Sequence, residues 1–208
     1  MIKTEKLTLG FMAVNCYIVR PEGGRECVVI DPGDRVKKIE KVIDENGLCV
    51  KAILLTHGHF DHIGAVDELK AATGAKIYVH AADAEKLTDA KKSLAAMTFF
   101  RQNTAPADVL LKGGEELDLA GMKIKVIHTP GHTKGGVCYL IEDTLFSGDT
   151  LMRLSYGRTD FEDGSEEEMR ASLKKLFALE GDLIVCPGHG ENSLLSLERA
   201  GNPILGAL

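Results

Sequence analysis

The sequence lacks the features that mark several classes of protein. Its 208 residues include no tryptophan, only 5% aromatic residues and no more than two adjacent lysines or arginines. Because the net charge is −6 and no basic run is present, we predict that nucleic acid is not a partner. The uncharged stretch at residues 7–19 is far shorter than the ~20 residues that span a bilayer, and no small-residue cleavage site follows it. We therefore predict neither membrane association nor a signal peptide.

Disulfide signatures are also absent. The five cysteines are an odd number and include no C-x-x-C pair. Most lie in apolar runs such as residues 27–30 and 137–141, where a reduced cysteine behaves as a small hydrophobic residue. This usage predicts reduced thiols and a cytoplasmic location. The length and a hydrophobic content of 44% are typical of a globular chain, so we predict one domain over residues 1–208.

Strands and helices are predicted to alternate along the chain. Short β-branched runs bounded by turn residues predict strands at residues 15–19, 27–30, 52–55, 76–79, 122–127, 136–141 and 182–186. Apolar residues three or four apart predict helices near residues 36–43, 63–69 and 169–177. Asp34 is the predicted N-cap of the first helix, and Ser165 with Glu168 has capping-box spacing before the third. The pattern favours sheets with helices outside and leaves open whether there is one sheet or two.

A histidine-rich motif follows the strand predicted at residues 52–55. It reads His57-Gly-His59-Phe-Asp61-His62, with three histidines in six residues. Imidazole and carboxylate groups are ligands for zinc, iron and manganese. His57 and His59 can point to one centre, while Asp61 and His62 can point to a second centre beside it. The motif therefore predicts a metal site in a strand-loop-helix context.

With this motif, the sequence resembles the metallo-β-lactamase fold superfamily of metallohydrolases almost end to end. Further matching segments lie at residues 31–33 (DPG), 129–133 (TPGHT), 146–151 (FSGDTL), 157–160 (GRTD) and 187–190 (PGHG). They occur in the family's order, each in a turn after an apolar strand. The resemblance implies an α+β fold, an αββα sandwich of two mixed β-sheets with helices on the outer faces.

The resemblance also implies a ligand set and a chemistry. It implies one metal ion held by His57, His59 and His132, a second held by Asp61, His62 and His189, and a bridging carboxylate from Asp149. Asp61 and Asp149 would also belong to the catalytic group. Two divalent ions are implied, with zinc as the first choice and iron or manganese as alternatives. Such a pair makes a bridging hydroxide available at neutral pH, which suits hydrolysis of thioesters, lactones, β-lactams and phosphodiesters.

Within the superfamily, the chain is similar to the hydroxyacylglutathione hydrolase (glyoxalase II) group. This similarity implies a small-molecule thioester substrate, such as a hydroxyacylglutathione. Arg158 stands where that group has a basic glutathione contact, and Met152 and Tyr156 are predicted pocket walls. Asp160 and Glu191 replace expected tyrosines, and the helical C-terminal domain of larger members is not expected. These departures favour a smaller or different thioester or an ester, because added negative charge opposes an anionic thiol carrier.

Two alternatives stay open. The segment at residues 83–108, which includes Met97, Phe99, Phe100 and Arg101, is either a lid over the acyl group or a helix packed on the sheet. The alternative function is a persulfide (sulfur) dioxygenase of the same fold. That reading implies one iron ion bound by His57, His132 and Asp149. The chain is expected to be a monomer or a homodimer.

Overall fold

The protein forms two six-stranded β-sheets, seen in a computed structural model that describes residues 1–102 and 104–207. The first sheet contains Ile2–Leu9 (β1), Val14–Pro21 (β2), Glu26–Ile30 (β3), Cys49–Leu54 (β4), Lys76–His80 (β5) and Val109–Leu111 (β6), in that order. The following strands are Glu116–Leu119 (β7), Met122–His128 (β8), Val137–Ile141 (β9), Thr144–Gly148 (β10), Leu151–Met152 (β11), Ser155–Tyr156 (β12), Ile184–Pro187 (β13) and Ser193–Leu194 (β14). The second sheet has the order β14-β13-β10-β9-β8-β7, while β11 and β12 form a separate hairpin.

Both sheets mix parallel and antiparallel pairs. In the first sheet, β1 to β3 pair antiparallel and β3 to β6 pair parallel. In the second sheet, only β10 and β13 pair parallel among the described strands. Parallel neighbours require crossover connections, which place helices on the sheet faces.

The helices cover the outer faces of the two sheets. They are Val36–Glu45 (α1), Phe60–Ile63 (α2), Val66–Thr73 (α3), Glu166–Phe177 (α4) and Leu195–Gly201 (α5). Apolar side chains of α1 and α3 pack on the first sheet, and those of α4 and α5 pack on the second. A third apolar layer lies between the sheets, where Tyr17 and Leu54 meet Tyr139 and Phe146. The predicted αββα sandwich is therefore confirmed, with two sheets rather than one.

The predicted helix starts differ in outcome. The Ser165 hydroxyl accepts a hydrogen bond from the Glu168 backbone N–H at 3.3 Å, which confirms Ser165 as the N-cap of α4. The Ser165 backbone N–H donates to the Gly131 carbonyl at 2.8 Å, so the reciprocal bond of a capping box is replaced by a tertiary contact. The Asp34 N-cap prediction is wrong, because α1 starts at Val36 behind Arg35, whose φ is 51°. The Asp34 carboxylate instead packs so closely on the turn before β2 that a Cβ at Gly10 would lie 2.4 Å from its Oδ2. Tertiary packing has therefore overridden the local capping preference.

The segment at residues 83–108 contains short 3₁₀ turns in its described part, at Ala81–Leu87 and Ala95–Met97. The α-helix considered for this segment is not formed there, and residue 103 lies outside the described residues. Met97 and Phe99 are 77% and 107% exposed. No helix in the described part of the chain combines the length and apolar character needed to cross a membrane.

Candidate metal centre

Four loops that follow β-strands bring the predicted ligands together. His57 lies just beyond β4, and α2 then carries Asp61 and His62. In the second sheet, the loop after β8 carries His132, the residue after β10 is Asp149, and His189 follows β13. Strand ends of both sheets therefore meet at one site, although the residues are up to 132 positions apart in the sequence.

The donor atoms form three overlapping groups. Within each group the donors lie within 4.8 Å of one another, and the groups are His57 with His59 and His132, His57 with His62 and Asp149, and Asp61 with His62 and His189. The Asp149 Oδ1 lies 3.6 Å from His62 Nε2, and its Oδ2 lies 3.7 Å from His132 Nε2. Asp149 thus contacts both halves of the cluster, so all seven predicted ligands meet in one place.

The outward nitrogens of four histidines contact fixed oxygen atoms. The partners of the Nδ1 atoms are Thr56 Oγ1 at 3.1 Å for His57, Asp31 Oδ2 at 3.0 Å for His62, the Arg158 carbonyl at 2.7 Å for His132 and the Met12 carbonyl at 3.1 Å for His189. A histidine that donates from Nδ1 presents the Nε2 lone pair on its other side. These contacts therefore orient four imidazoles as ligands towards one centre.

Two inward atoms are left without a hydrogen-bond partner among the described residues. They are His57 Nε2 and Asp149 Oδ1, both buried. An unpaired buried polar atom costs about 1–3 kcal/mol, which a bound cation would offset. His59 Nδ1 also faces His132 Nε2 at 2.9 Å. The donor set and the unpaired atoms therefore fit divalent metal ions.

The pKa shifts of three histidines in the cluster go in opposite directions. Burial and the neighbouring imidazoles hold the pKa of His57 well below its usual value, and the same causes lower the pKa of His59 to about 2. These two imidazoles are therefore neutral at pH 7 and ready to bind a cation. Burial also opposes the charged form of His62, but the carboxylates of Asp61, Asp149 and Asp31 raise its pKa to about 10. A bound cation would take the place of the proton on His62, because the same carboxylates attract both.

Two buried carboxylates that support the cluster had no role assigned from the sequence. Asp31 accepts hydrogen bonds from the Thr56 backbone N–H at 2.8 Å and from the Thr56 hydroxyl at 2.6 Å, besides its contact with His62. Asp83 is fully buried and accepts from the backbone N–H groups of Gly58 at 2.9 Å and Gly135 at 2.8 Å. The DPG segment was a sequence signal for Asp31, whereas no motif pointed to Asp83.

The three predicted substrate contacts lie in different surroundings. The Arg158 guanidinium makes a two-pronged ion pair with Asp160, at 2.7 Å for both contacts, and lies 4.2 Å from the centre of the Phe161 ring. Tyr156 packs on the apolar layer under α4 and α5. Met152 is half-buried in the β11–β12 hairpin. Their contacts with substrate stay predictions.

The donor cluster lies in a region of the chain that matches a known protein family. The model of the metallo-beta-lactamase superfamily matches residues 9–189, which is most of the chain. The chain belongs to this superfamily. The match includes all seven donor residues of the cluster, so this metallo-β-lactamase superfamily member carries its candidate metal centre within the region that defines the family.

Relatives and solved structures agree with the family assignment. The hydroxyacylglutathione hydrolase GloC of Haemophilus influenzae is 32% identical, with 92% of each chain covered. The BLEG-1 B3 metallo-beta-lactamase structure has a TM-score of 0.92 and 35% identity, with 99% of each chain covered. The structure of TTHA1623 in a di-iron-bound form has a TM-score of 0.85 and 36% identity, covering 96% of this chain and 99% of that one. These proteins carry different functional names on one shared fold.

Proposed function

We propose that this superfamily member is a dinuclear metal-dependent hydrolase of small-molecule thioesters. The observation that carries the proposal is the cluster of seven donors in three overlapping groups, in which Asp149 lies near both His62 and His132. His57, His59 and His132 would hold one ion, and Asp61, His62 and His189 the other. The similarity to a hydroxyacylglutathione hydrolase supports a thioester as the scissile group.

The protein's own groups would organise this chemistry. Two bound divalent ions would supply a hydroxide nucleophile at neutral pH, since such ions lower the pKa of bound water from ~15.7 towards ~7. The Asp31–Thr56 hydrogen bonds keep His57 and His62 from rotating, because both imidazoles contact this pair. A thiolate whose parent thiol has a pKa near ~8.5 is a good leaving group, so its departure needs no strong general acid. The described cluster therefore needs no further proton donor for this reaction.

The experiment that tests the proposal is metal analysis of protein purified anaerobically without added metal, followed by thiol-release assays on a thioester panel. We expect near two equivalents of zinc, iron or manganese per chain, and thioester turnover that a chelator abolishes and metal restores. One equivalent of iron with oxygen uptake on a persulfide would instead identify the dioxygenase. Two equivalents of metal with no thioester turnover would contradict the thioester assignment alone.

The ion pairs around the site oppose strong glutathione binding. Asp160 occupies the Arg158 guanidinium, and Glu191 forms an ion pair with Arg153. Both acidic residues stand where the glyoxalase II group was expected to have tyrosines. A glutathione carboxylate would therefore compete with Asp160 for Arg158, which favours thioesters of a smaller or less acidic thiol.

Replacing Asp160 by asparagine is expected to improve binding of acidic thioesters. The Asp160→Asn variant frees the guanidinium of Arg158, so the KM for a hydroxyacylglutathione should fall about twofold to fivefold. The KM for a neutral N-acetylcysteamine thioester should stay constant, and Arg158→Ala in the same background should cancel the gain. Steady-state kinetics on both substrates provides the measurement. Equal changes in the KM values of the acidic and neutral substrates would show that Arg158 does not contact the substrate.

A further inference from the structure

An open cavity of about 530 Å³ lies directly beside the candidate metal centre. It is bounded by the turn between β1 and β2 on one side and by residues 97–100 on the other. Its apolar walls are formed by Leu9, Phe11, Met12, Phe60, Met97 and Phe99. The two walls come from segments more than eighty residues apart, so only the folded chain creates this space.

Two residues of the cavity wall contact the donor cluster. The Asp61 Oδ2 lies 3.2 Å from His189 Nε2. The Met12 carbonyl lies 3.1 Å from His189 Nδ1. The cavity therefore adjoins the donor cluster at Asp61 and His189.

The rim of the cavity is unusually apolar for an exposed surface. Phe11 and Phe99 are 100% and 107% exposed, and both line the cavity. Large exposed apolar patches in globular proteins mark binding sites for ligands or partners. Phe60 and Phe100 lie deeper, with ring centres 5.8 Å apart, and extend the apolar lining inward.

The charges of the cavity distinguish between the two ends of a thioester. Its charged lining residues are the carboxylates Asp34 and Asp61, and the described lining includes no lysine or arginine. The common biological thiol carriers bear carboxylates or phosphates, which the Asp34 carboxylate would repel, whereas a bound cation would offset the charge of Asp61. An uncharged apolar acyl chain meets no such repulsion and gains from burial against the aromatic walls.

We propose that this cavity binds the apolar acyl group of the substrate, so that the enzyme prefers thioesters with medium-length or aryl acyl chains. The inference rests on the proposed thioester hydrolase function and names its acyl specificity. Phe11 and Phe99, which both line the cavity, act as specificity residues.

Turnover of N-acetylcysteamine thioesters from acetyl to octanoyl tests the proposal. We expect kcat/KM to rise about twofold to fourfold for each added methylene until the cavity is filled. Phe11→Ser and Phe99→Ser should each lower the octanoyl-to-acetyl ratio at least about fivefold. Leu110→Ser is the matched control, since Leu110 is 55% exposed and is not a lining residue. A kcat/KM that does not depend on acyl chain length, or that depends on the thiol instead, would overturn the proposal that the cavity binds the acyl group.

A second measurement separates this inference from the proposed function. Calorimetry with metal-loaded protein measures binding of thioether ketones, in which a methylene group separates the carbonyl from the sulfur. Binding that strengthens with chain length supports the cavity assignment, even if no thioester is turned over and the hydrolase function fails. Chain-length-independent binding overturns the cavity assignment. If the Phe11→Ser/Phe99→Ser variant only converts a dimer to a monomer, the cavity is an interface between two copies and the proposal is wrong.

Discussion

Replacing Asp149 by alanine is expected to lower hydrolytic turnover at least ~100-fold. The carboxylate contacts both halves of the donor cluster, with Oδ1 3.6 Å from His62 Nε2 and Oδ2 3.7 Å from His132 Nε2. A side chain of alanine reaches neither histidine. Both proposed metal sites would lose a shared ligand. The cluster would also lose a negative charge that offsets the positive charge of the bound ions.

The Asp149→Ala experiment combines kcat/KM on a thioester with metal content and thermal unfolding. Asp143→Ala is a suitable control, because Asp143 is an exposed aspartate six residues earlier in the β9–β10 turn. The control should keep wild-type turnover and metal content. A folded Asp149→Ala protein with near-normal turnover and unchanged metal would show that Asp149 is not a shared ligand.

Replacing Asp83 by asparagine is expected to weaken metal binding about 10-fold to 100-fold, although Asp83 is not a ligand. Its two oxygens hold the backbone N–H groups of Gly58 and Gly135. Gly58 lies between His57 and His59, and Gly135 follows His132 in the next ligand loop. One buried side chain thus sets the distance between two ligand loops, which makes Asp83 a positioning residue.

Asparagine keeps the shape of Asp83 but offers one carbonyl oxygen for two N–H donors. Its amide group would face the second N–H, and that unpaired buried donor costs about 1–3 kcal/mol of folding free energy. Competition with a chromophoric chelator measures metal affinity, and excess metal should restore turnover. Asp89→Asn is the control, because the half-buried Asp89 accepts the same type of bond from Lys91 N–H at 2.8 Å. A lower unfolding temperature with unchanged metal affinity would show a purely structural role.

Local sequence patterns pointed to four of the clustered donor residues, because these four lie close together along the chain. His57, His59, Asp61 and His62 occupy one loop and the short helix α2, so their spacing alone places them near one another. The apolar runs of β3, β4 and β8 were equally readable, because their buried faces require β-branched residues. Strand β1 was missed, since Lys3, Glu5 and Lys6 interrupt any apolar pattern on this edge strand.

The sequence by itself therefore determined the α+β class, the family and the set of donor residues. Only the tertiary structure decided which groups support and surround them. Asp83 meets Gly135 across 52 residues, and Phe11 and Phe99 line one cavity although they are distant in the sequence, so neither arrangement leaves a local pattern. The pairing of Arg158 with Asp160 likewise depends on side-chain orientation beside Phe161. The candidate donor residues lie in short motifs, whereas the proposed substrate surface exists only after distant segments pack together.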